Sequence, residues 1–304
     1  MAQTMNEQIC LYLHICQHQK NLDEKTVKAY RIDLRQFSDF LLQKHFEITK
    51  ESISTYIMQM NCQFKPRSVK RKIASIKAFI SFLEDEELIE SNPFNKLRIS
   101  LREPLLLPKT IPLRTIEKLL SAAHHLISDG STPYVQKYAL RDTAIMELLF
   151  AIGLRVSELC RLNVSDLDLV DGSVKIYGKG DKERIVQIGT PNVLKILIEY
   201  HNCFGGQATD PFFLNRAGKR ISEQSVRAIL NKYANMISEG LHITPHMFRH
   251  SFATLLLEED VDIRYIQQLL GHSSITTTQI YTHVAMAKQK TILLTKHPRN
   301  KLSL

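Results

Sequence analysis

The chain has 304 residues, of which 44% are hydrophobic and 23% are charged. This composition excludes an intrinsically disordered chain, which would have too few apolar residues to bury a core, and the length allows two domains. Forty basic and thirty-one acidic residues give a formal net charge of +9. The excess of positive charge favours a polyanionic partner, although a basic enzyme without such a partner has the same composition.

The five cysteines form no C-x-x-C pair and are odd in number, which predicts a reduced chain without structural disulfides. No stretch approaches the ~20 apolar residues of a membrane span. The apolar run from Ile9 to Cys16 is interrupted by His14 and is too short for a signal sequence. We therefore expect a soluble cytoplasmic protein with no membrane partner.

Residues 1–98 predict a compact helical domain. An apolar stripe from Val27 to Leu41 has helical spacing and follows Asp23, a good capping residue, and a shorter helix is expected after Thr49. A last short helix is expected to begin at Asn92-Pro93.

The stretch from Lys65 to Lys77 holds six basic residues and no acidic residue. Apolar residues from Val69 to Leu83 keep a separate helical stripe, so a helix here would have one packed side and one cationic side. Such a face can lie along a phosphate backbone, and a merely solvated charged face is the alternative. The residues predicted to bind DNA are Lys65, Arg67, Lys70, Arg71, Lys72 and Lys77.

Residues 99–112 contain three prolines and no helical period, which predicts an extended interdomain linker. The second domain, 113–304, is expected to open with a helix from about Arg114 to Ile127. A polar turn and a helix from Asp142 to Ile152 follow.

Gly153 interrupts the helical pattern, which resumes from Val156 to Leu162. Arg155 thus lies at a glycine-broken joint between two helices. This is a setting that fixes a guanidinium in place, and an arginine that only caps a helix is the alternative.

At Ser173 the apolar period changes from 3.6 to 2. Ser173–Tyr177 and Arg184–Ile188 alternate as strands around a glycine- and lysine-rich turn, which predicts a β-hairpin. Lys179 at its tip can reach into a groove or an active site, although a solvated turn lysine is the more ordinary interpretation. Helices from Pro191 to Cys203 and from Ser222 to Ile237 are expected next.

Thr244-Pro245 has the composition of a helix N-cap and first turn. His246 and Arg249 lie three residues apart on one face near that start, where backbone N–H groups favour an anion. His246 and His250 also have the spacing of a zinc pair, but the metalloprotease glutamate is absent and Arg249 would repel a dication. We therefore favour a phosphate site over a zinc site.

A further helix, Asp262–Leu270, is expected to end at Gly271 as a left-handed cap, with His272 directly after it. Tyr281 would lie near the end of a short third helix. A tyrosine at such a position is more often a core-edge residue than a nucleophile.

Several motifs occur together in one order: GLRVSEL at 153–159, GKGDKER at 178–184, HMFRHSFAT at 246–254, LLGHSSITTTQIYTHV at 269–284 and KHPR at 296–299. Together they closely resemble the tyrosine site-specific recombinases of the phage lambda integrase class, and they look nearest to the Xer type. The resemblance implies a mainly α fold with a small antiparallel β-sheet. It divides the chain into an N-terminal helical, SAM-like core-binding domain and a C-terminal α+β catalytic domain with a tail helix.

The resemblance implies an enzyme that cuts and rejoins DNA strands at specific sites through a 3′-phosphotyrosyl intermediate, without ATP, metal or another cofactor. The catalytic residues it implies are Arg155, Lys179, His246, Arg249, His272 and the nucleophile Tyr281, with Glu158 as an accessory residue. The implied partners are double-stranded DNA, further subunits in a homo- or hetero-tetramer, and possible accessory proteins.

Two other classes remain open at this stage: a type IB topoisomerase-like enzyme and a DNA-binding regulator that has lost activity. Ile152, Leu255 and Asp260-Val261-Asp262 depart from the usual Xer pattern. These departures leave open a chromosomal Xer protein or the integrase of a mobile element.

Overall fold

A computed structural model describes residues 4–99, 108–129, 132–178, 183–237, 240 and 242–271. The chain divides into two compact units, Met1–Leu105 and Leu106–Leu304, each with a hydrophobic core of its own. The described residues are mainly helical with one small antiparallel sheet, which confirms the predicted fold class. The helices and strands are α1 (Met5–His18), α2 (Glu24–Lys44), α3 (Lys50–Gln63), α4 (Pro66–Asp85), α5 (Leu113–Ser128), α6 (Pro133–Ile152), α7 (Val156–Arg161), β1 (Leu167–Asp168), β2 (Ser173–Tyr177), β3 (Glu183–Gln187), α8 (Pro191–Phe204), α9 (Glu223–Met236), α10 (Pro245–Glu258) and α11 (Ile263–Leu270).

The N-terminal unit packs α1 to α4 around an aromatic core. Tyr12, Phe37 and Phe79 are each at most 1% exposed, and the Tyr12 and Phe79 rings lie 5.5 Å apart in a tilted arrangement. Side chains cap the helices as the sequence predicts: Asp23 accepts a hydrogen bond from the first turn of α2, and Thr49 does the same for α3.

Lys72 does not lie on the cationic face predicted for α4. The residue is 4% exposed, and its ammonium donates a 3.0 Å hydrogen bond to Asp33 of α2, which is fully buried. Arg71 is 47% exposed at the side chain and also pairs with Asp33. The stretch is free of acidic residues in sequence but acquires a carboxylate from the neighbouring helix, because a buried lysine requires a charged partner.

In the second unit, α6 is the central helix and begins at Pro133, nine residues before the predicted start at Asp142. Thr132 caps it by accepting a hydrogen bond from the Val135 amide. Most residues of α6 from Ala139 onward are buried. A helix buried on several sides has little amphipathic period, which explains why the pattern located its end at Ile152 better than its beginning.

The sheet has the order β1-β2-β3 with antiparallel neighbours. The predicted hairpin is present, with its second strand one residue earlier than expected, and the two-residue strand β1 is too short to leave a sequence pattern. In the β2–β3 register, Val174 pairs with Val186 and Ile176 pairs with Arg184.

Candidate active site

Arg155 stands at the joint between α6 and α7. Gly153 ends α6 with φ +61, and Arg155 is the N-cap residue of α7. The Glu158 carboxylate accepts hydrogen bonds from the Arg155 backbone amide at 2.9 Å and from its guanidinium at 2.7 Å. One third of the Arg155 side chain (33%) remains exposed. The local fold therefore fixes the base of this side chain and leaves part of its guanidinium accessible to a ligand.

Arg249 lies in the second turn of α10 and is only 3% exposed. Its guanidinium donates to the Gly153 carbonyl at 2.8 Å and to the Leu270 carbonyl at 2.6 Å. It also lies 3.9 Å from the Glu158 carboxylate. Both predicted arginines thus converge on Glu158, although they are far apart in sequence.

Arg184 was not predicted from the sequence as a site residue, but the structure brings it to the site. Its guanidinium donates to both oxygens of Glu158, at 3.0 and 2.8 Å. Burial raises the pKa of the Glu158 carboxyl, but the hydrogen bonds and charge of Arg184, followed by those of Arg155, outweigh burial and hold this pKa below its ordinary 4.5. The carboxylate is therefore ionised at neutral pH.

The C-terminal end of α11 is the second point of convergence. The Leu269 carbonyl accepts a hydrogen bond from Arg184 at 3.1 Å, and the Gly271 carbonyl accepts one from Arg155 at 3.4 Å. Arg155 also lies within 3.5 Å of the Leu270 carbonyl that Arg249 binds. Positive side chains are favourable here because the last carbonyls of a helix have no partner within it and carry the negative end of its dipole.

Gly271 ends α11 in the left-handed conformation (φ +63), as predicted from the sequence. A Cβ atom at this position would lie 2.9 Å from the Arg184 guanidinium. Glycine therefore satisfies the backbone conformation and also leaves room for the arginine.

His246 lies in the first turn of α10, and its side chain is exposed. The pKa of its imidazole is lowered below 6.5. Desolvation is the largest cause, and the positive charges of Arg249, Arg227 and Arg155 follow in that order. Burial, followed by the charge of His246, lowers the pKa of His250 to about 4. Both imidazoles are therefore neutral at pH 7.

The structure thus brings together Arg155, Glu158 and Arg249, with His246 close enough for its pKa to respond to the arginines. The predicted positions Lys179, His272 and Tyr281 lie outside the described residues. Arg184 was missed, although strand alternation could have identified it, because it shares a face with the core residues Val186 and Ile188.

In the N-terminal unit, α4 and its N-cap residue Lys65 leave five of the six predicted DNA-binding residues exposed: Lys65, Arg67, Lys70, Arg71 and Lys77. Among the described residues, no group of three or more His, Cys, Asp or Glu side chains could hold a metal ion. Within the same part of the chain, every helix is too short or too polar to cross a membrane.

Comparison with known proteins gives concordant matches. The family model described as "Phage integrase family" matches residues 94–288, and that of the "Phage integrase, N-terminal SAM-like domain" matches residues 9–87. The chain is 56% identical to a tyrosine recombinase of Agathobacter rectalis, with 96% of each chain covered. It is 36% identical to tyrosine recombinase XerC of Pelobacter propionicus, over 98% of this chain and 97% of the relative.

Among solved structures, the fold matches that of XerH site-specific recombinase bound to palindromic difH substrate in a post-cleavage complex. The TM-score is 0.75 at 21% identity, over 96% of this chain and 84% of that chain. The family matches, the sequence identities and the fold agree with one another. The chain therefore belongs to the phage integrase family and is a tyrosine site-specific recombinase of the Xer type.

Proposed function

We propose that this recombinase cleaves DNA by attack of the Tyr281 hydroxyl on a backbone phosphate, which forms a 3′-phosphotyrosyl bond and releases a 5′-hydroxyl. The 5′-hydroxyl released from a partner strand then attacks this phosphotyrosyl bond, which forms a new phosphodiester and frees the Tyr281 hydroxyl. Each step exchanges one ester for another, so the bond energy is conserved and neither ATP nor a metal is needed. The observation that carries the proposal is the convergence of Arg155 and Arg249 on Glu158 at the end of α11.

Arg155 and Arg249 differ in exposure, and we propose that each stabilises the phosphate charge in a different way. Arg155 is partly exposed, so its guanidinium can donate to a non-bridging phosphate oxygen. Arg249 is nearly inaccessible and is held by two backbone carbonyls, so its charge acts from a fixed position. Fixed donors directed at a developing negative charge lower the barrier without reorganising during the reaction. We assign both residues to stabilising the pentacoordinate transition state, with a further hydrogen bond from His272.

Proton transfer requires a base and an acid. A tyrosine hydroxyl with a pKa of ~10 is about one part in a thousand ionised at neutral pH, which corresponds to a deficit of about 4 kcal/mol. His246 has a lowered pKa and is neutral at pH 7, so its imidazole can accept the phenol proton or orient the phenol. We assign Lys179 as the acid that protonates the leaving 5′-oxygen.

We further propose the domain division 1–98, 99–112 and 113–304, for the core-binding domain, the linker and the catalytic domain. The enzyme would act in the cytoplasm on double-stranded DNA as a homo- or hetero-tetramer that joins two duplexes. By holding two duplexes together, a tetramer brings in the partner strand that the second transesterification requires.

The exposed side of α4 is proposed to contact the DNA backbone. Lys65, Arg67, Lys70, Arg71 and Lys77 are exposed there, and Arg71 also pairs with Asp33, whereas Lys72 is buried. Changing Lys70 and Lys77 to Glu should weaken DNA binding and reduce the slope of log affinity against log salt, because fewer counterions are released. An unchanged salt slope would remove α4 from the interface.

The experiment that tests the chemistry is covalent trapping on a duplex with a nick beside the cleavage site, so that the released fragment diffuses away. Tyr281→Phe should abolish the protein–DNA adduct and leave gel-shift binding intact. Tyr265→Phe is the matched control, because Tyr265 lies on α11 with 65% of its surface exposed and has no assigned role. An adduct that persists in Tyr281→Phe would refute the assignment of the nucleophile. EDTA should leave the wild-type yield unchanged.

A further inference from the structure

We propose that Arg184 is a positioning residue for strand cleavage, which acts through Glu158 and the end of α11 and does not touch the DNA. This inference rests on the function proposed above. In it, Arg184 holds Arg155 in place, and it also holds Gly271, the residue that follows α11. The inference adds to the functional residues Arg184, which ends the motif at 178–184 and has no role assigned from the sequence.

Arg184 occupies a core position of the sheet. It pairs with Ile176, which is fully buried, and it shares a face with Val174 and Val186. The next residue, Ile185, points outward and is 69% exposed. Strand alternation therefore places an arginine where an apolar side chain would pack and an isoleucine where a polar one is ordinary. Such an inversion weakens the local core and requires a compensating interaction.

Each of the three guanidinium nitrogens of Arg184 is bound by a protein group. Nη1 and Nη2 bind the two oxygens of Glu158, at 3.0 and 2.8 Å, and Nε binds the Leu269 carbonyl at 3.1 Å. The side chain is 13% exposed, against 33% for Arg155. Arg184 is thus engaged internally, so any effect on cleavage must pass through its partners.

The bonds of Arg184 hold three elements together. Its own strand, β3, begins four residues after Lys179 in the sequence, and Glu158 caps α7 at Arg155. The Leu269 carbonyl belongs to the last turn of α11, ahead of Gly271. One planar group therefore sets the spacing between the hairpin, the N-terminus of α7 and the C-terminus of α11.

Arg184 also sets the charge of the site. Arg155, Arg184 and Arg249 together with the Glu158 carboxylate carry a net charge of +2. Without Arg184, the full charge of Glu158 would be compensated by Arg155 and Arg249, and the net charge would fall to +1. Glu158 would then hold Arg155 more strongly and compete with the phosphate for it.

Gly271 supports this assignment independently. A Cβ atom at position 271 would lie 2.9 to 3.1 Å from three atoms of Arg184, and glycine has none. The close approach of the α11 end to the guanidinium is thus built into the chain at both residues.

The test is single-turnover cleavage of pre-bound nicked DNA by Arg184→Gln, Arg184→Lys, Glu158→Gln and the Arg184→Gln/Glu158→Gln double variant, with thermal melting and gel-shift affinity measured in parallel. Arg184→Gln should cleave about 10–100-fold more slowly, by analogy with the loss when the hydrogen-bonding partner of a metal ligand is removed, with DNA affinity changed by less than about threefold. Arg184→Lys keeps the charge and one bond, so its loss should be smaller. The double variant should be less impaired than the product of the single effects.

Arg220→Gln is the matched control. Arg220 also binds backbone carbonyls, those of Cys160 and Leu162, and has no bond to Glu158. It should cleave at the wild-type rate once bound to DNA. If Arg184→Gln proves unfolded, the rate of Arg184→Lys relative to Arg220→Gln decides the question.

A wild-type cleavage rate in folded Arg184→Gln would overturn the proposal, as would multiplicative effects with Glu158→Gln. A lower melting temperature with a wild-type rate on bound DNA would reduce Arg184 to a structural role and also overturn it. The wild-type arm separates this inference from the proposed function. If the wild-type protein forms no adduct through Tyr281, the proposed function is refuted. If the wild type forms the adduct and Arg184→Gln cleaves at the normal rate, only the inference about Arg184 is refuted.

Discussion

Glu158→Ala should destabilise the C-terminal unit far more than an ordinary surface substitution. The Glu158 side chain is 4% exposed and accepts hydrogen bonds from Arg155 and Arg184. Arg249 lies 3.9 Å away. Alanine removes the negative charge and leaves these guanidinium groups facing one another.

The exposure of each arginine determines the size of the effect. Arg155 is 33% exposed, so water can replace much of what it loses. Arg184 and Arg249 are 13% and 4% exposed at the side chain, so their charges stay desolvated. Removing one partner of a buried ion pair costs about 3–5 kcal/mol. We expect a loss of this order in the free energy of unfolding.

Urea unfolding read by hydrogen–deuterium exchange is the suitable assay, because it reports α6 and α10 separately from the N-terminal unit. The control is Glu183→Ala on β3, which breaks an exposed pair with Lys175 at 2.9 Å, where the side chains are 50% and 40% exposed. That substitution should cost no more than about 1 kcal/mol.

The pH dependence gives a second check on the same substitution. The folded-state pKa of Glu158 lies below its ordinary 4.5, so its stabilisation is present above that value and is lost as pH falls through the folded pKa. The difference between the wild type and Glu158→Ala should therefore be full at neutral pH and shrink in acid. Equal losses for Glu158→Ala and Glu183→Ala, or a difference that is independent of pH, would refute the argument.

Three further predictions follow from buried or strained positions. Asp33→Ala should cost the N-terminal unit about 3–5 kcal/mol, seen as faster exchange in α2 and α4, because it leaves the buried lysine of α4 without its carboxylate. Gly153→Ala should lower the free energy of unfolding in urea more than Gly218→Ala does. Both glycines have a positive φ, but a Cβ atom at position 153 would lie 2.5 Å from Phe252, whereas one at position 218 would meet nothing within 4 Å. The pKa of His250 is lowered from 6.5 to about 4 in the folded protein, so between these pH values the unfolded chain binds a proton at His250 and the folded chain does not. The urea midpoint should therefore decrease as the pH drops through this range, and His250→Gln should make that decrease smaller.

The features that the sequence predicted well are local ones. Thr244 caps α10, Asp262 caps α11, and Gly153 and Gly271 end their helices in the left-handed conformation. Each depends on a few neighbouring residues and on one backbone hydrogen-bonding requirement, so the signal is contained in a short window.

The features that the sequence did not predict depend on residues distant in the chain. Lys72 is paired with a carboxylate 39 residues earlier, and Arg184 with one 26 residues earlier. No short window around Lys72 contains Asp33, so all six basic residues of the stretch were placed on the cationic side of the helix. The alternation of Arg184 with Val186 was visible in the sequence, but an arginine at a strand end is ordinarily solvated, and only tertiary packing supplies the carboxylate that makes its burial tolerable.

The candidate site is built from the ends of elements, and this accounts for its chemistry. A helix leaves its last carbonyls and first amides without internal partners. Here the last carbonyls of α11 and the Gly153 carbonyl accept from arginines, and the first amide at the α7 cap donates to Glu158. Groups that the fold must satisfy in any case thus fix the guanidinium planes before DNA arrives. Under the proposed function, a phosphate entering beside Arg155 would meet donors whose ordering cost was met during folding, which is the condition under which electrostatic stabilisation of a transition state is most effective.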